Sequence, residues 1–319
     1  MHLGVSEARA LSEGILVRHG FSPEDAALIS EILVEAHLWG RPTSGLSHLR
    51  SIVKAGDRQP IRVVHEDGRS AVIDGGNNPG FLVASRAIEM AIAKAMQNGL
   101  ATVAARNAYF GGINGYYVAK AARQDLIALM SIASGERVAP AGGIDPLFGT
   151  NPIAVAIPTL DEPVILDMST SSTNLGGLHR AARLNEPLAA GIAIGPDGEP
   201  TTDPRRALEG AILPFGGHKG SGLAMIVQCL GLLGGGAIVP HGVADFGYFI
   251  LAIDPSLFMP IEEYKARVSE LVERVRAVRP RKGLDKVRVP GERSLHERGR
   301  RLAEGFDIDD VLYAELLGL

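Results

Sequence analysis

Cysteine, aromatic residues and long hydrophobic runs are all scarce in this sequence of 319 residues. Its single cysteine, Cys229, excludes a disulfide within the chain, and the apolar helix predicted around it indicates inert packing. The apolar run over residues 223–239 comes closest to the length of a membrane span, but Gln228 and several glycines interrupt it. The first residues also lack the basic-then-apolar layout of a signal peptide. We therefore expect a cytoplasmic protein with no membrane partner.

An excess of positive charge is also missing, because the formal net charge is -4. Nucleic acids bind proteins through basic surfaces, so this balance predicts no nucleic-acid partner. The one local exception is a basic run over residues 274–288, which we interpret as a solvated linker around Pro280 rather than a binding surface. The histidines lie apart in the sequence, without the ligand spacing of a zinc site, so no metal is expected.

Hydrophobic periodicity predicts alternating helices and strands, with helices at both ends of the chain. The clearest patterns are three amphipathic helices and two short apolar strands, which cover residues 5–20, 23–40, 261–278, 153–158 and 164–168. Ser6 and Ser22 are suitable N-caps for the first two helices, and short apolar strands are typical of a buried sheet. This order predicts an α/β fold with a helical lobe from residues 1–75 and 260–319, beside a sheet-containing lobe from residues 76–259.

Glycine is abundant, and it is concentrated in residues 213–223, which read Leu-Pro-Phe-Gly-Gly-His-Lys-Gly-Ser-Gly-Leu. Glycines let a backbone approach a ligand closely. The apolar helix that follows would offer free N–H groups to an anion, and Lys219 would add a positive charge. The stretch therefore predicts a phosphate-binding loop, although the same pattern also makes an ordinary helix entry. The stretch fits neither the nucleotide-binding pattern Gly-x-x-x-x-Gly-Lys-Ser/Thr nor the pattern Gly-x-Gly-x-x-Gly after a strand.

Residues 214–224 resemble the Pro-hydrophobic-Gly-Gly-X-Lys-Gly-X-Gly-Leu signature of the malate/L-lactate dehydrogenase family, which is unrelated to classical lactate dehydrogenase. Further stretches resemble family segments in the same order, at residues 138–143, 148–153, 166–171, 198–204 and 289–292. The resemblance implies a central mixed sheet lobe with a non-Rossmann dinucleotide site. It also implies NAD or NADP as cofactor, a small-molecule substrate, and a homodimer whose partner subunit completes the cleft. The sequence shows no acid or arginine signal that separates NAD from NADP.

The resemblance also implies three places of cofactor contact within the sheet-containing lobe. One follows the predicted strand that ends at Ala133, one ends the strand at residues 164–168, and one is the glycine-rich loop. A carboxylate at a strand end can accept hydrogen bonds from ribose hydroxyls, although the same side chain could instead cap a helix. The residues expected to contact the cofactor are Ser134, Asp167, Met168, Ser169, His218, Lys219 and Gly220.

The catalytic segments depart from the family pattern. Where the family has a histidine that holds the substrate carboxylate, this chain has Ser44, and His48 stands at the position of the family's arginine. Where the family has its proton-transferring histidine, an alignment without gaps places Phe110, which cannot transfer a proton. A glycine-lysine pair of the family reads Gly176-Gly177 here. The resemblance therefore predicts a substrate site lined by Thr43, Ser44 and Phe110.

Three explanations of this departure stay open. The proton could come from a relocated group, for which His48, Tyr109 and Tyr116 are the candidate catalytic residues. The substrate could bring its own proton, as a protonated cyclic imine does. The chain could also be a nucleotide-binding homologue with little turnover. The resemblance favours an NAD(P)H-dependent oxidoreductase that acts on a small 2-oxo or 2-hydroxy acid or on a cyclic imino acid.

Overall fold

Eleven strands and eleven α-helices make up the computed structural model, which describes residues 1–54, 56–242 and 244–319. The strands are β1 (His2–Leu3), β2 (Arg62–Glu66), β3 (Ser70–Asn78), β4 (Leu100–Ala108), β5 (Ile127–Ala133), β6 (Ile153–Ile157), β7 (Val164–Met168), β8 (Ala193–Ile194), β9 (Ala211–Ile212), β10 (Phe246–Ile253) and β11 (Phe306–Asp307). The helices are α1 (Val5–Arg18), α2 (Pro23–Leu38), α3 (Leu49–Lys54), α4 (Gly80–Asn98), α5 (Asn114–Ala122), α6 (Leu175–Leu184), α7 (Pro204–Glu209), α8 (His218–Gly231), α9 (Ile261–Arg276), α10 (Glu292–Glu304) and α11 (Asp310–Leu317).

A seven-stranded mixed sheet forms the centre of the fold, with the strand order β2-β3-β4-β10-β5-β6-β7. Strands β3 and β4 are parallel, and every other neighbouring pair in this sheet is antiparallel. It follows that β3, β4, β5 and β7 run in one direction and end at the same edge of the sheet. The predicted α/β class with a central mixed sheet is confirmed.

Helices cover both faces of the sheet, and alternate residues of β10 show how. Tyr248 points towards the start of α4, where its hydroxyl donates a hydrogen bond to the carbonyl oxygen of Tyr109. Gly247 points the other way, because successive residues of a strand face opposite sides. A Cβ atom at Gly247 would collide with the backbone of Gly231 in α8. Small residues therefore let α8 pack closely on one face, while α4 and α5 cover the other.

The helices of both chain ends pack on this central body. Helices α1 and α2 pack together, α10 packs on α2, and β1 pairs with β11. One hydrophobic core contains residues of these terminal helices together with residues of the sheet. Strand β2 and most of β3 belong to the large sheet although they lie within residues 1–75. The division into a helical and a sheet lobe stays a prediction.

A small second hydrophobic cluster lies beside the start of α8. It joins Val138, Phe148 and Leu178 with Ile212 and with Ala224 of α8. The short strands β8 and β9 and the helices α6 and α7 surround it. The sequence pattern does not separate this cluster from the sheet-containing lobe, because its strands are only two residues long and leave no periodic signal.

The predicted helices at residues 5–20, 23–40 and 261–278 correspond to α1, α2 and α9, and their bounds agree to within two residues. The two predicted apolar strands correspond closely to β6 and β7. Ser22 caps α2 as predicted, since its side chain accepts a hydrogen bond from the backbone N–H of Asp25 at 3.1 Å. Ser6 is not the cap of α1, because the helix already begins at Val5. No helix among the described residues combines the length and the apolar character that crossing a membrane requires.

Candidate active site

The shared edge of the sheet brings most of the predicted site residues together. Tyr109 and Phe110 follow β4, Ser134 follows β5, and Asp167 and Met168 end β7. The three strands run in the same direction, so their carboxyl ends meet at this edge. Ligands of open α/β sheets commonly bind outside the carboxyl ends of the strands. The edge is therefore the natural position for a binding cleft in this fold.

The glycine-rich loop lies against the segment that follows β7. The backbone N–H of Phe215 donates to the carbonyl oxygen of Thr170 at 3.1 Å, and that of Ser172 donates to the carbonyl oxygen of Leu213 at 2.8 Å. Gly220 lies at the point of closest approach, where a Cβ atom would collide with the carbonyl oxygens of Phe215 and Thr170. The loop and the end of β7 therefore form one continuous surface.

Helix α8 begins at this surface and presents an unpaired cation. Gly217 precedes the helix with a φ of 62° and has open space around it. His218 and Lys219 are exposed in the first turn, and within the described part of the chain Lys219 forms no ion pair. The backbone N–H groups of Lys219 and Gly220 donate to the carbonyl oxygens of Gly216 and Phe215, so the positive end of the helix dipole and the exposed ammonium group are what this 14-residue helix offers. This arrangement suits an anionic group such as a phosphate.

Ser134 is buried, and a polar network fixes its position. Its backbone N–H donates to Oδ1 of Asn151 at 3.1 Å. Asn151 in turn donates through Nδ2 to the carbonyl oxygen of Ala224 at 3.0 Å and to Oε1 of Gln228 at 2.9 Å. Asn151 is also buried and adopts a φ of 36°, which asparagine tolerates better than most residues. The segment around Asn151 therefore holds the end of β5 against α8.

Asp167 caps α5, a helix that precedes β7 in the chain, rather than a helix that follows its own strand. Its Oδ2 atom accepts a hydrogen bond at 2.9 Å from the backbone N–H of Gly115, at the start of α5. Burial raises the pKa of this carboxyl above its ordinary value, while the hydrogen bond from Gly115 and the nearby Arg41 act in the opposite direction. The backbone carbonyl of Asp167 also accepts a hydrogen bond from Nη2 of Arg41 at 3.4 Å. Asp167 thus helps to hold α5 at the cleft.

His48 and Phe110 stack face to face. Their ring centroids are 3.5 Å apart, and the angle between the ring planes is 16°. The Nε2 atom of His48 lies 2.9 Å from the carbonyl oxygen of Thr43. A carbonyl oxygen only accepts hydrogen bonds, so the proton of neutral His48 is on Nε2, and Nδ1 carries a lone pair. Burial lowers the pKa of His48 to about 4, which keeps the ring neutral near pH 7.

The two candidate tyrosines are less suited to proton transfer. The Tyr116 hydroxyl donates to Oε1 of Glu31 at 2.6 Å, and this contact with α2 engages its proton. Tyr109 is only 4% exposed, and within the described residues its hydroxyl has no hydrogen-bond partner. Burial raises the pKa of both hydroxyls well above their ordinary value, so neither releases a proton readily. Neither tyrosine is therefore a good proton donor, and the catalytic role of His48 stays a prediction.

The loop that carries Thr43 and Ser44 also touches the start of α6. A Cβ atom at Gly176 would lie 3.1 Å from Cβ of Thr43, so the two backbones pass close to each other. Asn174 caps α6 by accepting a hydrogen bond from the backbone N–H of Gly177 at 2.7 Å. The Gly176-Gly177 pair, where the family has glycine and lysine, is therefore beside the predicted substrate residues. With Gly177 in place of that lysine, this side of the site has one positively charged side chain fewer.

Three arginines near the end of β7 were not predicted as site residues, and one of them, Arg288, was interpreted as part of a solvated linker. Arg41, Arg288 and Arg293 line a cavity of about 220 Å³ together with Trp39 and Asp167. The match at residues 289–292 marked this region, but it pointed to no individual side chain. Arg41 lies far from the other two in the sequence, so no local pattern could join them.

Comparison with known proteins identifies the family. A family model described as malate/L-lactate dehydrogenase matches residues 3–317. The L-sulfolactate dehydrogenase of Methanocaldococcus jannaschii is 37% identical over 317 residues, which cover 95% of this chain and 91% of that protein. A Delta(1)-pyrroline-2-carboxylate/Delta(1)-piperideine-2-carboxylate reductase of Pseudomonas putida is 35% identical, with coverage of 98% and 94%. The likeness therefore includes both ends of the chain as well as the cleft.

The fold comparison agrees with the sequence comparison. The solved structure of the sulfolactate dehydrogenase from Methanocaldococcus jannaschii matches this chain with a TM-score of 0.88 at 35% sequence identity. The match covers 99% of this chain and 95% of the other. The sheet edge and the start of α8 are thus parts of a fold that the two proteins share.

Proposed function

Because the chain belongs to the malate/L-lactate dehydrogenase family and is therefore an oxidoreductase, we propose that it reduces a small cyclic imino acid with NADH or NADPH, or catalyses the reverse reaction. Reduction of a 2-oxo acid is the second activity of this class, and the sulfolactate dehydrogenase among the relatives supports keeping it in view. The contact between His48 and Phe110 carries the preference for the imine.

Neutral His48 offers a hydrogen-bond acceptor to the substrate. Its Nε2–H is directed to the carbonyl oxygen of Thr43, so the free ring atom is Nδ1 with its lone pair. A protonated cyclic imine carries an N–H that can donate to such an acceptor. The oxygen of a 2-oxo acid gains negative charge during reduction and needs a donor instead. The lone pair at Nδ1 therefore suits the imine and disfavours the oxo acid.

Phe110 strengthens this preference because it cannot donate a proton or a hydrogen bond. A ketone needs a proton on its oxygen, and general acid catalysis is typically worth about 10²–10⁴-fold in rate. A protonated imine already carries the proton, so the absence of an acid at this position costs it less. We further propose that Thr43 and Ser44, in the loop beside Phe110, contact the carboxylate of the substrate.

The residues at the sheet edge fit a nicotinamide dinucleotide. The open space around Gly217 and the exposed Lys219 at the start of α8 suit its phosphates. His218 and Gly220 would line the same loop, and Met168 and Ser169 would contact the ribose side beside Asp167. Ser134 would contact the cofactor at the end of β5. The bound dinucleotide would supply or accept the hydride, while these residues bind and orient it.

We also propose that the protein is a homodimer, and an exposed apolar face of α8 supports this. Met225 and Ile226 of α8 are 58% and 57% exposed, and Leu233, two residues beyond the helix, is 59% exposed. Cys229 lies between them and is exposed, so the expectation that it is packed within this chain is wrong. Apolar patches of this kind on a soluble domain commonly mark an interface. Location in the cytosol and the absence of a nucleic-acid partner stay predictions.

The substrate preference is tested by steady-state kinetics. We expect the wild-type protein to reduce Δ1-pyrroline-2-carboxylate with a kcat/KM well above that for pyruvate, with at least one of NADH and NADPH. Each substrate is assayed with both cofactors, by the loss of reduced-nicotinamide absorbance. Reduction of pyruvate at least as efficient as reduction of the imine would refute the proposed preference.

A further inference from the structure

The cavity at the end of β7 concentrates positive charge next to the segment proposed to contact the cofactor. Arg41 approaches it from the loop after α2, and Arg288 and Arg293 approach from the loop before α10 and its first turn. Asp167 lines the same cavity. Arg288 is the last member of the basic run over residues 274–288, so that run leads directly to the cavity.

The loop before α10 is firmly seated on β7. The backbone N–H of Ile165 donates to the carbonyl oxygen of Pro290 at 3.2 Å. Gly291 adopts a φ of 87°, and a Cβ atom there would lie 2.9 Å from the carbonyl oxygen of Ile165. The contact therefore depends on glycine, which fixes the positions of Arg288 and Arg293 relative to the strand. Arg288 and Arg293 thus lie on a loop that the fold holds in place, and Arg41 reaches β7 separately, by donating to the carbonyl oxygen of Asp167.

The carboxylates near the cavity already have other partners. Glu292 forms ion pairs with Lys286 at 2.8 Å and with Arg276 at 3.7 Å. Oδ2 of Asp167 accepts the N–H of Gly115. Across the ranges that the structure describes, Arg41, Arg288 and Arg293 form no ion pair with any carboxylate. Three arginines against the single carboxylate of Asp167 therefore give this concave site an excess of positive charge.

We propose that Arg41, Arg288 and Arg293 bind the 2′-phosphate of NADP, so that the protein prefers NADP(H) to NAD(H). This inference rests on the proposed function, because it takes the cofactor to lie along the end of β7. Guanidinium groups present forked donors that match phosphate oxygens. Dinucleotide sites that bind NAD commonly use an acidic side chain to hold the 2′-hydroxyl, and NADP sites use arginine. The engaged carboxylates and the three arginines favour the phosphate.

The bridging phosphates have a separate place to bind. Thr170, three residues beyond Asp167, touches Gly220 at the start of α8. An extended segment of that length spans about 10 Å. The positive start of α8 with Lys219 and the arginine-lined cavity therefore lie at two positions along the same segment. NADP carries a phosphate on its ribose in addition to the bridging phosphates, whereas NAD has only the bridging phosphates. Two separated anion sites therefore fit NADP better than NAD.

Binding measurements test the assignment without turnover. The probes are NADPH, NADH, 2′,5′-ADP and 5′-AMP, titrated by fluorescence or calorimetry against wild type and the double variant Arg288→Gln/Arg293→Gln. We expect wild type to bind NADPH at least about 10-fold more tightly than NADH, and 2′,5′-ADP more tightly than 5′-AMP. The double variant should lose about 10- to 100-fold in affinity for NADPH and 2′,5′-ADP, with NADH little changed.

The matched control is Arg279→Gln/Arg281→Gln, which removes the same charge from the same basic run outside the cavity. The control should leave all four affinities unchanged. If the control lost as much affinity as the test variant, the loss would be a general effect of removing positive charge, and the assignment would be overturned. An equal loss of NADH and NADPH affinity in the test variant would assign the arginines to the bridging phosphates and overturn it too. Tight NADH binding without a preference for NADPH would overturn only this inference. Failure of wild type to bind either dinucleotide would refute the proposed function itself.

Discussion

The imidazole of His48 lies against the phenyl ring of Phe110, with 3.5 Å between the ring centroids. These are two of the positions at which the sequence resemblance predicts a departure from the family pattern, and the structure brings them into contact. A flat aromatic ring at position 110 gives the neutral imidazole an apolar surface to stack on. The hydrogen bond to Thr43 then sets which ring nitrogen keeps a lone pair. We interpret the two departures as one coupled change in the substrate site.

Restoring a histidine at position 110 should restore oxo-acid chemistry. We expect Phe110→His to raise kcat/KM for pyruvate by about 10²–10⁴-fold, because the new imidazole can supply a proton to the ketone oxygen. The imine should gain far less, since it already carries its proton. Both values are measured by the loss of reduced-nicotinamide absorbance. If pyruvate turnover is unchanged and His48→Ala abolishes it, His48 is itself the acid.

Acid should destabilise the fold through its buried histidines. His37 is 1% exposed, and burial lowers its pKa from 6.5 to about 3. The unfolded chain therefore binds a proton at a higher pH than the folded chain does, and stability falls as the pH drops through the interval between these values. From about pH 7.5 to about pH 5 we expect His37 to cost about 2 kcal/mol.

His48 acts in the same direction, because burial lowers its pKa to about 4. Urea denaturation at several pH values, monitored by circular dichroism, measures the combined effect. The exposed histidine variant His65→Gln serves as the control and should keep the full pH dependence, whereas His48→Gln should reduce it. A free energy of unfolding that stays constant from about pH 7.5 to about pH 5 would contradict the argument.

Two glycines of α8 offer a matched pair of substitutions. A Cβ atom at Gly220 would collide with the carbonyl oxygens of Phe215 and Thr170, whereas Gly222 has nothing within 4 Å. We expect Gly220→Ala to cost about 1–3 kcal/mol of stability and to weaken dinucleotide binding by displacing the loop. Gly222→Ala should be neutral or stabilise the helix by up to about 1 kcal/mol. Thermal denaturation and fluorescence titration measure both; equal behaviour of the two variants would count against a closely packed loop.

Lys219 should contribute to the affinity for both dinucleotides, since it lies at the start of α8 and away from the arginine-lined cavity. We expect Lys219→Ala to weaken NADH and NADPH binding alike, by about 10-fold, through loss of one charge-assisted contact. Lys282→Ala removes another exposed lysine, which belongs to none of the predicted site segments, and should change neither affinity. Fluorescence titration measures the affinities for NADH and NADPH. If Lys219→Ala leaves both unchanged, Lys219 does not contact the cofactor.

The sequence was informative where a feature is local. Apolar runs located β6 and β7, and the glycine-rich loop located the start of α8, because each depends on a few consecutive residues. The helix-capping contact of Asp167 could not be assigned, because its partner Gly115 lies on a different element. The arginine-lined cavity joins Arg41 to Arg288 across most of the chain. Such contacts follow from the packing of the whole fold, which a single sequence does not display.

The exposed apolar face of α8 should be the contact between two copies of the chain. Met225 and Ile226 are more than half exposed on this face. If each is replaced by a charged residue, association of two copies through this face would have to bury both charges. We expect Met225→Glu/Ile226→Glu to weaken association by at least about 100-fold, so that the variant sediments as a 33.7 kDa species while wild type sediments at twice that mass. Leu271→Glu changes an equally exposed residue on the charged helix α9 and should leave the dimer intact. Because α8 also carries Lys219, the monomeric variant should bind NAD(P)H more weakly than wild type. Wild type that sediments only as the 33.7 kDa species at micromolar concentration would refute the dimer.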